Sequence, residues 1–563
     1  MELFKNIPYQ RPSLLSMGKQ LVKSAKAFRR AGDYAGAREA FLSLHKVADE
    51  IETPYVIAQI RNTMNMADKF YEKEMKRYSF VMALVMGVGA VAVKQFLKSR
   101  FLPEFEKDFG AQAFRLLSSQ IQTNGLKTVV EMIKEENLVS KYKKTAASCG
   151  TQFRGEQCNF YGLLKHMQST DREERREAFL AWAKLYEGAA PALDGIYDSL
   201  VAVRAKKARK LGFASYVDYA YLNRMRFDYT AKDVAAFREA VKEHIVPVCA
   251  AIHERQKARL GVETLHYYDE SLYFPEGNPT PAGTAESMLE AAGKMYHELS
   301  GETGAFFDFM RQYELFDLET RPNKHLGGYC THLLAYQAPF IFANFNGTSA
   351  DVDVLTHEAG HAFQAYVSSR RQLLPEYISS TSEINETHSM SMEFFTYPWM
   401  EMFFGEDAER YRRMHFAMSL NAIPYLASVD EFQEKVYQNP KMTAAERRGV
   451  WREIERAYLP WRDYDGNTFL EGGGFWMQKQ HIFMYPFYYI EYALAQLCAY
   501  QYFLRSKENP KQAWEDYYRL CLAGGGKGYF ELLREGNLKN PLDPETVREV
   551  VRAVSAIIGQ NGV

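Results

Sequence analysis

Apolar residues recur at every third or fourth position from Gly18 to about Tyr142, as in "LVKSAKAFRRAGDYAGAREAFLSLHKVADEI". The same spacing returns in "DREERREAFLAWAKLYEGAAPALDGIYDSLVAVRAKKARKLG" and "AKDVAAFREAVKEHIVPVCAAIHERQKARLG". That period puts the apolar side chains on one face of an α-helix, so helix after helix is predicted. Both later runs close on glycine, which adopts the left-handed conformation of a helix C-terminus without strain. No unit repeats at a spacing of about 34 residues, which argues against a helical solenoid.

The pattern changes at "LHYYDESLYFPEGNPTPAGTAES", where Pro and Gly gather between Pro275 and Gly283 in a loop or lobe junction. Residues 325–348, "HLGGYCTHLLAYQAPFIFANFNGT", are rich in Tyr, Phe and Ile and bounded by Gly-Gly and Asn-Gly. They predict two short strands, hence a small β-sheet in an otherwise helical protein. The other break, "DYDGNTFLEGGGFW" at 463–476, reads either as a mobile loop or as a simple turn. The most apolar run, Phe80–Val93, falls short of the roughly 20 residues that cross a bilayer and predicts a buried helix.

Length and composition add bounds. A chain of 563 residues can bury a large core, and its 47% apolar and 25% charged residues exclude disordered and fibrous classes. The expected organisation is an N-terminal helical lobe, 1–200, and a second lobe, 201–563, packed together. With 69 basic against 70 acidic residues no global field draws in nucleic acid or an anionic membrane. Six cysteines without a CxxC pair suit a reducing compartment, and "MELFKNIPYQRPSLL" lacks the pattern of a secretory leader. A cytoplasmic protein is the expectation.

Within "HEAGH", His357 and His361 stand at i and i+4, so one helix face presents both imidazoles to a shared cation. Glu358 is rotated by about 100° from His357 and can reach a water beside the cation without being a ligand. Zinc suits two neutral imidazoles and a carboxylate, with a fourth position open for catalysis. "STSEINETHSMSMEFF" offers Glu383, Glu386 and Glu393 as the third group, while His388 is turned away from Glu386; periodicity alone leaves the glutamate undecided. Downstream, "HIFMYPFYYIEYALAQL" supplies His481, Tyr485, Tyr488, Tyr489 and Tyr492. If Pro486 opens a helix, Tyr485, Tyr489 and Tyr492 share a stripe. Alone, that stripe would be an aromatic core face; beside a hydrolytic metal its hydroxyls could stabilise an oxyanion.

Together these groups resemble the thimet-type oligopeptidases, peptidase family M3, and especially the bacterial branch related to oligoendopeptidase F. That family's HExGH, ExxxxxxE segment and C-terminal His with paired tyrosines correspond to "HEAGH", "ETHSMSME" and "HIFMYPFYYIEY". The resemblance implies His357, His361 and Glu386 as ligands of one Zn2+ per chain and Glu358 as general base. It further implies His481, Tyr489 and Tyr492 as catalytic groups, with Tyr488 competing for the first tyrosine's role. "GGYCTHLLAYQAPFIFANFNGT" is similar to the strand region that pairs with peptide backbone, which makes Gly327, Gly328 and Tyr329, with Tyr485 and Tyr488, the substrate-binding candidates. The implied fold is mainly α, a two-lobed helical body around a deep channel with a small β-sheet next to the zinc helix. The implied activity is cleavage of internal bonds in short peptides. A metallocarboxypeptidase, a dipeptidyl carboxypeptidase and a silent helical peptide-binding protein are the alternatives.

Overall fold

The computed structural model describes residues 1–561, with the side chains at 14–15, 48, 79–92, 126 and 559–561 outside that description. Helices carry most of the chain, and strands form two small sheets. Two units emerge from the backbone contacts. One comprises Met1–Leu126, Thr280–Ala408 and Gln501–Lys539; the other comprises Lys127–Pro279, Glu409–Tyr500 and the segment from Asn540. Each is thus assembled from three stretches of chain, and residue 200 lies inside a single 40-residue helix, Arg172–Leu211.

In the first unit, α1 (Leu14–Arg30), α2 (Tyr34–Met64) and α3 (Lys69–Phe96) start on side-chain caps. Ser13, Asp33 and Asp68 each accept backbone N–H groups of the first turn that have no partner within the helix. Phe80–Val93 belongs to α3, but the predicted burial of its side chains lies outside the described residues. Among the described residues no helix is long and apolar enough to cross a membrane.

The predicted pair of strands is present and a third joins it: β1 (Phe316–Glu319), β2 (Tyr329–Leu333) and β3 (Ala338–Phe345). The central β3 runs parallel to β1 and antiparallel to β2, with Tyr329 opposite Phe342 and Cys330 opposite Ile341. Apart from Asn344, β3 is buried throughout, which explains its unbroken apolar run where a half-exposed strand would alternate. The Asn344 amide donates to the carbonyls of His325 (2.9 Å) and Gly327 (2.7 Å), tying down the turn ahead of β2. After β3, the Asp351 carboxylate accepts the N–H groups of Asn346 (2.9 Å) and Gly347 (2.8 Å), closing the turn into α4 (Ala350–Ser369). A second helix, α5 (Ser382–Phe395), packs along α4.

In the second unit, Arg172–Leu211 is capped by Asp171 and ends at Gly212 with φ 93°, as its terminal glycine predicts. The run ending at Gly261 (φ 65°) divides into Ala231–Ala240 and Val246–Leu260 around a widened turn at Val241–Ile245. Pro247 accounts for the break, because its ring crowds the preceding turn and it has no N–H to donate. Trp182, Trp451 and Trp476 are fully buried here, so much of the aromatic content is core.

Candidate active site

His357 and His361 lie one turn apart on α4, their rings 5.0 Å apart and nearly perpendicular. Between them Gly360 faces α5. A methyl group at Gly360 would fall 2.6 Å from the Ser389 Cα and 2.7 Å from the His388 carbonyl oxygen. Only the missing side chain lets the two backbones touch. That close approach carries Glu386 across to the histidines, and its Oε2 is 3.4 Å from the Nε2 of each. One donor atom from each residue therefore lies within 4.8 Å of the other two.

The surroundings orient these donors. His357 Nδ1 is 2.6 Å from Glu393 Oε1, which leaves Nε2 to face Glu386. Ser389 donates its hydroxyl to Glu386 Oε2 at 3.2 Å. Burial would favour a neutral His357 ring, but Glu386 and Glu393 more than offset it and hold its pKa well above the ordinary value. Burial likewise opposes ionisation of Glu386, yet His361 and His357 keep its carboxyl well below the usual range. Of the other residues weighed as a third ligand, Glu393 is thus committed to His357. His388 Nδ1 faces the Cys521 thiol at 3.4 Å, in α7 (Pro510–Ala523), and Glu383 is buried in the first turn of α5.

Glu358 is buried beside this group, and among the described residues no hydrogen bond engages its Oε2. Burial raises its pKa, with His357, His361 and the Cys330 backbone amide pulling the other way. Gly328 stands over it. A side chain there would press on Val354 Cγ1 at 3.3 Å and reach Glu358 Oε1 at 3.7 Å. Gly327 takes a positive φ of 95° in the adjoining turn. The Tyr329 ring stacks on Phe342 (4.8 Å, 12°) and its hydroxyl pairs with Thr63 at 2.6 Å, so at this position the backbone of β2 is what remains to offer.

The second group forms one aromatic cluster in the other unit. His481 has its ring centre 4.7 Å from Tyr489, 6.0 Å from Tyr488, 5.9 Å from Tyr485 and 6.5 Å from Tyr492. The expected helix start is corrected. Gln480–Met484 is a separate short helix, Phe487 takes the left-handed conformation (φ 63°), and α6 (Tyr489–Glu508) begins only afterwards. Phe487 N–H donates to Gln433 Oε1 (3.0 Å) while its carbonyl accepts from Arg226, contacts that hold the break open. Tyr489 and Tyr492 therefore share the first turn of α6, while Tyr485 stands apart from it, half exposed. Arg224 lies over the Tyr488 ring at 4.6 Å and, with Arg226, pairs with the fully buried Glu491. The nearby glycines are packing glycines: Gly473 (φ 90°) sits so close to the Arg448 carbonyl that a methyl group would overlap it.

Three contributors were not read from the sequence: Gly360 as the contact between α4 and α5, Glu393 as the partner of His357, and the Arg224–Arg226–Glu491 cluster. A small residue inside HExxH and the seven-residue spacing of two glutamates are the signals that point to the first two.

A family model described as Peptidase family M3 matches residues 165–550, and one described as Peptidase M3 N-terminal domain matches 4–124. A structure of PZ peptidase A with an inhibitor is 42% identical, with a TM-score of 0.96 over all of both chains. A chain provisionally named oligoendopeptidase F is 44% identical, with a TM-score of 0.95 over 99% of each. The oligoendopeptidase F homolog of Borreliella burgdorferi is 22% identical over 64% of this chain, a match that spans 61% of that relative's length.

Proposed function

The chain belongs to peptidase family M3, and from that premise we propose that it is a zinc-dependent oligoendopeptidase cutting internal bonds of short peptides. The observation that carries this reading is the convergence of His357, His361 and Glu386 beside a buried Glu358 carboxylate whose Oε2 has no hydrogen-bond partner among the described residues. Two imidazoles and one carboxylate, which leave the fourth position of a tetrahedral ion to another ligand, are the donor set of a catalytic zinc. His357 and His361 would hold the ion through Nε2 and Glu386 through Oε2. When bound, the ion would supply Lewis acidity that polarises a carbonyl oxygen and lowers the pKa of a nearby water toward neutrality.

The chain's own residues supply the rest. Glu358 accepts the proton of the attacking water and passes it to the leaving nitrogen, and the upward pull of burial on its pKa suits a group that must carry that proton briefly. Glu393 keeps the His357 ring in one orientation and one tautomer. His481, Tyr489 and Tyr492 are assigned to the developing oxyanion, an assignment supported by the family pattern in the sequence and by their gathering into one cluster. Tyr485 and Tyr488 are assigned to substrate contacts. β2 is at the sheet edge, which supports pairing with an extended peptide backbone near Gly327, Gly328 and Tyr329.

Digestion of an end-blocked, internally quenched peptide, with products read by mass spectrometry, tests the reading. Internal cleavage that stops with chelator and returns with zinc is expected. An intact blocked peptide beside trimmed free-ended ones would indicate a carboxypeptidase, and tight binding without any cleavage a silent peptide binder.

A further inference from the structure

Well away in sequence from HEAGH, a small hairpin gathers a second set of metal-type donors. Strands Thr151–Phe153 and Glu156–Cys158 pair antiparallel, and helix Phe160–His166 follows directly. Within this piece a carboxylate oxygen of Glu156, the Cys158 sulfur and a ring nitrogen of His166 lie within 4.8 Å of one another. We propose that Glu156, Cys158 and His166 form a second cation site, for a borderline-soft divalent ion of the zinc type, with a solvent-facing fourth position.

The local fold shows why the three meet. Arg154 and Gly155 both take positive φ (47° and 89°), the conformation a tight two-residue hairpin turn requires. Glu156 and Cys158, two apart on a strand, then point to the same side. Phe153 packs edge-on against the His166 ring at 4.8 Å and holds it to the hairpin. Gly162 makes room for the sulfur, since a methyl group there would stand 3.3 Å from Cys158 Sγ.

Two independent features point to a ligand. His166 Nδ1 lies 2.6 Å from Glu174 Oε1, and Glu174 is itself held by the Ser169 hydroxyl (2.9 Å) and the Arg154 guanidinium (3.3 Å). A carboxylate on the far nitrogen of an imidazole fixes its tautomer and orientation, as for metal-bound histidines generally. It leaves Nε2 facing Glu156 Oε2 at 3.9 Å, too far for a hydrogen bond, and to share a tetrahedral ion the two would close by about half an ångström, a movement open to the exposed Glu156 side chain. The second feature is the Cys158 thiol, which is buried and, among the described residues, enters no hydrogen bond. The mixed sulfur, nitrogen and oxygen set excludes calcium and magnesium, which take oxygen ligands, and selects zinc and its neighbours. The Glu156 side chain is 75% exposed, so the ion has access from solvent. Once bound, it would clamp the hairpin to the helix.

Cobalt(II) loading of the metal-depleted full-length protein distinguishes this site from the peptidase site, whose assigned ligands include no sulfur. Two equivalents bound, with a thiolate-to-cobalt charge-transfer band in the near ultraviolet, are expected. Cys158→Ser should lose the band and one equivalent while peptide cleavage is unchanged. Glu156→Gln, altering an exposed residue that leaves the fold intact, should weaken the second equivalent, and Glu174→Gln should weaken it by about 10- to 100-fold while keeping the band. A wild-type protein without the band, a band that survives Cys158→Ser, or unaltered affinity in Glu156→Gln would each overturn the site as stated.

Discussion

Glu358 and Glu386 are both buried in the same unit, yet their surroundings push them in opposite directions. Burial lifts Glu358, whereas His361 and His357 hold Glu386 low. Two carboxylates driven apart in this way can divide the work, one as base and one as ligand. Glu358→Gln keeps the shape and removes the proposed base, so turnover should fall by about 10²- to 10⁴-fold with zinc content unchanged by elemental analysis; turnover close to wild type would refute the assignment. Glu393→Gln should instead weaken zinc by about 10- to 100-fold in chelator competition, since it disturbs only the orientation of His357. A third residue bears on stability. His253, stacked on Trp461 at 4.5 Å, has its pKa lowered from 6.5 to about 3 by burial and by the nearby Arg462 charge. Its folded value lies below its unfolded one, so the unfolded chain takes up the proton first. Stability present above about pH 6.5 is therefore lost as pH falls toward 3, at ~1.4 kcal/mol per pH unit. His253→Gln should flatten the pH dependence of the urea midpoint between about pH 6 and 4; an unchanged slope would exclude this residue as its source.

At the scale of elements, the contact between α4 and α5 determines whether the site exists. A methyl group at Gly360 cannot share space with the Ser389 backbone, so the helices must separate, and Glu386 moves with α5. Gly360→Ala should cost about 1–3 kcal/mol of stability and most of the bound zinc, read by melting and by metal analysis together. Full zinc content with an unchanged melt would show that the contact is not limiting. Some elements were legible from local pattern: β2 and β3 from their apolar runs between turn residues, and Arg172–Leu211 from its period and its closing glycine. Strand β1 and the hairpin at 151–158 were not, because three or four residues are too few to display a period. Local rules favour Pro486 as the first residue of α6, but Gln433 and Arg226, remote in sequence, hold Phe487 in a left-handed turn and delay the helix to Tyr489.

For the molecule as a whole, an ion held as proposed by residues of both α4 and α5 would tie binding to folding, since the unfolded chain cannot present the three donors together. Ligand in 100-fold excess over its Kd adds about 2.7 kcal/mol to the folded state. Chelator should therefore lower the melting midpoint and zinc restore it, with a smaller drop in His361→Ala; equal drops in the two proteins would place the stabilising ion elsewhere. By itself the sequence determined the helical class, the pairing of His357 with His361 and the place of Glu358 next to them. Each of these depends only on hydrogen bonding within a helical turn and on the side-chain period that follows from it. Tertiary structure decided which glutamate meets the histidines, a choice the family resemblance implied but helical period left open, which one braces His357, and how three separate stretches make each unit. Those outcomes depend on contacts such as Gly360 against Ser389, between segments that are not neighbours along the chain, and no local period encodes which surfaces will meet.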